Sequence, residues 1–179
     1  MKKVILFISG ILIFTLSFGQ TNFKWEKTDS ITKTKDQLYS DTKMFIAETW
    51  KSSKDVIQND DKDGGIVLIK GASTQKIMHV MAEYVFVYSY NVTCKMKNGK
   101  YKMNLDNVHC ESARITGGTT VVPKVEPFDG NICPSAYGGK GKFGDKVVLM
   151  MTSLKSELQG IVDSYEKYIK TTSTKSSEW

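Results

Sequence analysis

Apolar residues recur along this chain with two distinct periods. From Tyr84 to Glu111 they alternate with polar ones: Tyr84, Phe86, Tyr88, Tyr90, Val92, Cys94 and Met96, then Tyr101, Met103 and Leu105 after Lys97-Asn98-Gly99-Lys100. A period of two predicts strands, and Asn-Gly between two such runs predicts a hairpin. A two-residue loop sets Lys97 opposite Lys100, Cys94 opposite Met103 and Tyr88 opposite His109. One face is then a core face. The other carries Lys95, Lys97, Lys100, Lys102, Asn104 and Asp106 near the turn, and Val85, Val87, Val108 and Cys110 at its far end. That apolar end calls for a cover, and the glycine- and proline-rich connection from Thr116 to Gly144 is the expected one.

Two stretches follow the helical period instead. Thr34 with Gln37 has capping-box spacing, and Leu38, Thr42, Phe45, Ile46, Thr49 and Trp50 then fall on one face. A second helix is expected to start near Asp145, with Val147, Met150, Met151, Leu154, Leu158, Ile161, Val162, Tyr165 and Ile169 as its stripe and Gly160 interrupting without ending it. Phe23-Lys24-Trp25 reads as a short first strand or a packed arm. Val56-Ile57-Gln58 and Ile66–Ile69 read as strands around an acidic turn. That turn, Asn59 to Lys70, resembles a calcium loop over its first half, but its twelfth position is Lys70 where such a loop needs a bidentate glutamate. With Gly64 and Gly65 it reads as a hairpin loop.

The ends change the picture of where the protein works. Lys2-Lys3, an apolar run from Val4 to Phe18, and small residues Ser17 and Gly19 form a secretory signal with cleavage between Gly19 and Gln20. A membrane anchor is the rival reading, but the run is short for one. Removing Lys2 and Lys3 takes the formal charge from +6 to +4. The excess is lysine, with Arg114 the sole arginine, which with export argues against nucleic-acid binding. In the mature chain, Gln20 to Trp179, residues 20–170 are expected to form one domain with residues 114–145 as a long loop insertion, and 171–179 a disordered tail.

The stretches "ITKTKDQLYSDTKMFIAETW", "DVIQNDDKDGGIVLIKG" and "YNVTCKMKNGKYKMNLDNV" resemble the bacterial family named domain of unknown function 4468. The likeness covers roughly residues 31–109 and rests on Leu38-Tyr39, Trp50, Asp63-Gly64-Gly65, Lys70-Gly71 and Asn98-Gly99-Lys100-Tyr101. It implies export and an α+β TBP-like β-α-β4-α fold: a five-stranded antiparallel sheet with two helices packed on one face. It transfers no catalytic residue, and a fold's name does not transfer DNA binding.

Candidate chemistry is sparse. Cys94 points into the core and lies more than ~20 Å along the hairpin from Cys110, beyond bridging distance. A Cys110–Cys133 disulfide is therefore expected, with three unpaired thiols as the alternative. Gly139-Lys140-Gly141-Lys142-Phe143-Gly144 spells a dinucleotide fingerprint without the strands that motif needs. Ser73-x-x-Lys76 lacks the companion motifs of a penicillin-binding nucleophile. His79 and His109 lack metal-ligand spacing, so no metal, cofactor or catalysis is expected. Asp29-Ser30-Ile31 resembles a bacterial O-glycosylation site. The reading is a non-enzymatic envelope protein binding an unidentified ligand or partner on the face around Lys95, Lys97, Lys100 and Lys102. The alternative is a structural component contacting acidic envelope polymers, and a plain solvated lysine face stands beside both.

Overall fold

The computed structural model describes residues 23–50, 52–116 and 142–172, and the strand pairing of residues 121–122. The expected cleavage site, Cys133 and the tail beyond residue 172 lie outside the described residues. So does the bulk of the expected loop insertion.

The elements run β1 (Trp25–Ser30), α1 (Lys35–Thr49), α2 (Ser53–Val56), β2 (Ile57–Asp61), β3 (Ile66–His79), β4 (Ala82–Lys97), β5 (Lys100–Thr116), β6 (Val121–Val122) and α3 (Lys142–Thr171). Five antiparallel strands line up as β1-β5-β4-β3-β2, and β6 pairs with β5. Both long helices pack on one face: α1 against β4 and α3, and α3 against β3, β5 and β1. This is the expected α+β architecture.

The helices form where capping and stripe agree. Thr34 Oγ1 accepts from Gln37 N at 3.2 Å and Gln37 Oε1 from Thr34 N at 2.9 Å, a complete capping box. Leu38, Thr42, Phe45 and Ile46 are buried, whereas Thr49, on the edge of that stripe, is exposed. In α3, Val147, Met150, Leu154, Leu158, Val162, Tyr165 and Ile169 are buried, and the helix runs through Gly160. It begins at Lys142, so Asp145 sits in the first turn rather than near a cap, where a carboxylate still complements the helix dipole. Phe45 links the two helices, edge-on to Tyr165 with ring centres 5.2 Å apart.

Lys33 locks the end of α3. Its side chain is 6% exposed, and its ammonium donates to Asp41 Oδ2 at 2.5 Å, to Ile169 O at 2.7 Å and to Thr172 Oγ1 at 3.0 Å. Three donors meet three acceptors, and the cation sits at a helix C-terminus where the dipole favours it.

The strands depart from the sequence reading in four places. First, β1 lies at Trp25–Ser30, past Phe23-Lys24-Trp25; Phe23 is a buried anchor before it. Second, Val56 closes the short α2 and the strand starts at Ile57. Third, β3 continues to His79, because Gly71, Ser73 and Gln75 occupy its buried face without apolar side chains. The Tyr90 ring fills the space over Gly71, and Glu157 Oε2 accepts from Ser73 Oγ at 2.8 Å and Gln75 Nε2 at 2.7 Å.

The fourth correction moves a face. The hairpin register holds from Lys97↔Lys100 through Cys94↔Met103 to Asn91↔Asp106, then shifts: Ser89 faces His109, Tyr88 faces Cys110 and Val87 faces Ser112. The extra residues are on β5, and Asn107 takes a left-handed φ of 52°, as a bulge allows for asparagine. Val108 and Cys110 thereby turn to the helix-covered face and join the core, leaving Val85 buried on the other side. His109 faces Ser89, not Tyr88.

The acidic turn is the hairpin loop between β2 and β3. Gly65 has φ +64°, Gly64 N donates to Asp61 Oδ1 at 2.8 Å, and Asp60 is held by Lys43 at 2.5 Å and by the Tyr39 hydroxyl. The β3–β4 turn is built otherwise. Its two residues, Val80 and Met81, both have positive φ, 44° and 63°, where L side chains are strained and Asn-Gly is the usual choice.

Candidate functional site

Near the Asn98-Gly99 turn the face opposite the helices is open, and antiparallel pairing fixes its rows. Ile66, Lys95, Lys102 and Thr28 stand in one row across β3, β4, β5 and β1. Lys97, Lys100 and Ser30 form the next, at the Asn98-Gly99 turn. The four lysines expected from sequence are thus brought together, as two cross-strand pairs, Lys95↔Lys102 and Lys97↔Lys100. They line a groove of about 460 Å³ whose walls include Thr28, Gly64 and Ile66. Sequence reasoning supplied the lysines and missed these three, which come from elements whose register it did not assign.

Electrostatically the groove is unbalanced. Lys102 pairs with Glu26 at 2.7 Å, and that lysine holds the Glu26 carboxyl below its ordinary range. Lys95, Lys97 and Lys100 are exposed, and their ammonium groups have no ion-pair or hydrogen-bond partner among the described residues. Like charges directly opposite each other across a strand pair are destabilising. On the helix-covered side, by contrast, the lysines are matched: Lys27 with Glu166 at 2.7 Å, Lys170 with Asp29 at 2.7 Å and Glu166 at 2.6 Å. Those partners raise Lys170 and lower Asp29 and Glu166 from their ordinary values.

The other sequence candidates resolve as follows. Ser73 is buried and Lys76 exposed on opposite faces of β3, so the Ser-x-x-Lys spacing joins no nucleophile to a base. His79 lies edge-on to Phe143, with ring centres 5.1 Å apart. His109 Nε2 is 2.8 Å from Ser89 Oγ, its Nδ1 is 3.0 Å from Asn107 O, and Glu111, paired with Lys70 at 2.7 Å, lies 3.7 Å away. This Ser-His contact was not foreseen, because it depends on the bulge. Ser89 is 1% exposed. Among the described residues no group of three or more His, Cys, Asp or Glu could hold a metal.

Cys94 is a free, buried thiol hydrogen-bonded with Tyr165, and burial pushes it up to about 12. Tyr165 OH lies 2.8 Å from Thr42 Oγ1, which itself donates to Leu38 O at 2.7 Å. Cys110 is disulfide-bonded. Its shift to the helix-covered face removes the reason first given for pairing it with Cys133.

Among the described residues no helix is long and apolar enough to cross a membrane. Among curated proteins, none matches the chain. Solved structures that resemble it include a DUF4468 family protein from Bacteroides ovatus, 12% identical, covering 79% of this chain and 84% of that one with a TM-score of 0.50, and a TBP-like protein from Parabacteroides distasonis, 7% identical, covering 80% and 92% with a TM-score of 0.51. At such identities the likeness is one of fold. Residues 25–111 match the family model described as "Domain of unknown function (DUF4468) with TBP-like fold". That stretch holds β1 to the bulged part of β5 and all four groove lysines, and over it the chain is similar to the DUF4468 family.

Proposed function

We propose that this chain is an exported, non-enzymatic binding module of the cell envelope, and that its ligand is an anionic group or polymer held in the lysine groove. The observation that carries the reading is the set of three unpartnered lysines, Lys95, Lys97 and Lys100, standing beside Lys102 in like-charge pairs around a 460 Å³ groove. An anion laid between the strands would relieve the Lys97↔Lys100 repulsion and what Glu26 leaves of the Lys95↔Lys102 one. Export rests on the signal read at Lys2 to Gly19. The non-enzymatic reading rests on Ser73 and Lys76 facing apart and on Ser89 being closed to substrate.

The groove favours an extended polyanion over a compact anion. Its lysines are spaced two apart along each strand, a repeat of about 7 Å, rather than converging on one point. The test is fluorescence anisotropy of a labelled polyglutamate oligomer against the mature chain, with inorganic phosphate as competitor. Binding should fall steeply between low and moderate ionic strength and be lost in a K95Q/K97Q/K100Q variant. Salt-independent binding, or binding unchanged in that variant, would sink the assignment.

A further inference from the structure

The end of the β3–β4 hairpin is unlike every other turn in the described fold. Of the five positions with positive φ, three are Gly65, Gly99 and Asn107, residue types that tolerate it. The other two are Val80 and Met81, a β-branched and a long apolar side chain held in the same strained region by the His79↔Ala82 pair that closes the hairpin. They are also the most exposed large apolar residues among those described, Val80 at 80% and Met81 at 98%. A strained conformation kept where a relaxed alternative exists points to use of the side chains presented.

The surroundings say what they are presented to. Met78 at 61% and Leu149 at 69% are exposed beside the tip and share a 300 Å³ groove between β3 and α3. The cations Lys76 and Lys146 line that groove, and Lys146 Nζ donates to Met78 O at 2.5 Å, which fixes its charge behind the apolar end. Glu83 pairs with Lys76 at 3.2 Å, and Lys142 and Asp145 are exposed in the first turn of α3. The tip is convex, two residues wide and apolar, with basic residues set behind it. A narrow wedge has no pocket of its own for a protein side chain to fill. It suits a deformable apolar layer beneath an anionic surface.

We infer that the Val80–Met81 tip inserts into the interface of an anionic phospholipid bilayer, with Lys76 and Lys146 resting against the headgroups. This goes beyond the lysine-groove reading and is independent of it, since the tip and the Asn98-Gly99 turn lie at opposite ends of β4.

The experiment is flotation of the mature chain with vesicles of phosphatidylethanolamine and phosphatidylglycerol, and with phosphatidylcholine alone. The informative variant is V80N/M81G, which removes the apolar side chains and gives the turn residues suited to its φ, so the fold is kept; circular dichroism checks that. The wild type should float with anionic vesicles, and the variant should lose about tenfold or more in partitioning. A K76Q/K146Q variant should lose the preference for anionic over neutral vesicles. Equal flotation of wild type and V80N/M81G would overturn the inference, as would a wild type that stays soluble with anionic vesicles. Concentration-dependent self-association abolished by V80N/M81G, without flotation, would reassign the tip to a second copy of the chain. None of these outcomes bears on polyglutamate binding.

Discussion

Replacing Lys33 by methionine tests whether the sheet and its two helices are locked together at one buried cation. Methionine keeps the stem's length and apolar contacts and removes the ammonium. Three partners are then stranded: the Asp41 carboxylate, the Ile169 carbonyl and the Thr172 hydroxyl. Removing one member of a fully buried ion pair costs about 3–5 kcal/mol. Asp41 is 19% exposed, so water recovers part of its solvation and the low end applies. The lost cation at the end of α3 adds about 0.5 kcal/mol, and methionine's easier burial returns about 1 kcal/mol. The expected loss is about 2.5 kcal/mol, read as a lower urea midpoint at unchanged slope. Asp41→Asn should cost less, because Lys33 keeps Ile169 O and Thr172 Oγ1. The double variant K33M/D41N should cost less than the sum of the singles, since a neutral amide needs no cation. A loss under about 1 kcal/mol for Lys33→Met would refute the argument, because no arrangement with three satisfied bonds at 6% exposure gives so little.

Five further outcomes rest on the same structure. Gly160 has nothing within 4 Å of a built Cβ and sits inside α3, so Gly160→Ala should stabilise by about 0.5–1 kcal/mol; Gly71→Ala would put its Cβ 2.4 Å from the Tyr90 ring and should destabilise by about 1–3 kcal/mol in the same urea assay. We propose Cys133 as the partner of Cys110; unfolding without reductant should then expose one maleimide-reactive thiol, Cys94, blocked in the native protein, and three reactive thiols would refute the pairing. Burial raises Cys94 and Tyr101 each to about 12, and Tyr165 well above its ordinary value, so these groups ionise first in the unfolded chain. Their contribution is full below the ordinary thiol value of 9.0 and is lost as pH rises toward 12; an unfolding midpoint flat across that window would contradict it. Lys97→Glu turns the Lys97↔Lys100 pair attractive and should raise stability by about 0.2–1 kcal/mol while weakening polyglutamate binding; stability gained with binding intact would mean a plain solvated face.

What was legible in the sequence is what local chemistry dictates. Asn98-Gly99 between alternating runs fixed the hairpin and, through it, the four lysines on one face. Thr34 and Gln37 fixed the start of α1. What was not legible depends on distant parts of the chain. The second half of β3 hides because its buried face is Gly71, Ser73 and Gln75, made acceptable by Tyr90 from the next strand and Glu157 from α3. The bulge at Asn107 carries little signal beyond an asparagine after an aspartate, yet it moves Val108 and Cys110 across the sheet and brings His109 to Ser89. The Val80–Met81 turn is invisible for a third reason: it breaks the local rule by which turns are found.

The two proposed surfaces share one physical logic. At one end of β4 stand lysines opposite lysines, where a single glutamate would remove the repulsion. At the other end Val80 and Met81 occupy left-handed positions, where Asn-Gly would remove the strain. The same chain uses both remedies elsewhere: Glu166 and Asp29 neutralise Lys27 and Lys170, and Asn98-Gly99 turns the next hairpin. Local rules broken at two places and obeyed at comparable ones mark where function competes with stability. β4, at 16 residues, holds those places ~50 Å apart. A tip seated in a bilayer would therefore carry the groove well clear of the headgroups, beyond several Debye lengths at physiological salt. The groove could then take a polyanion without competition from the lipid that the tip binds.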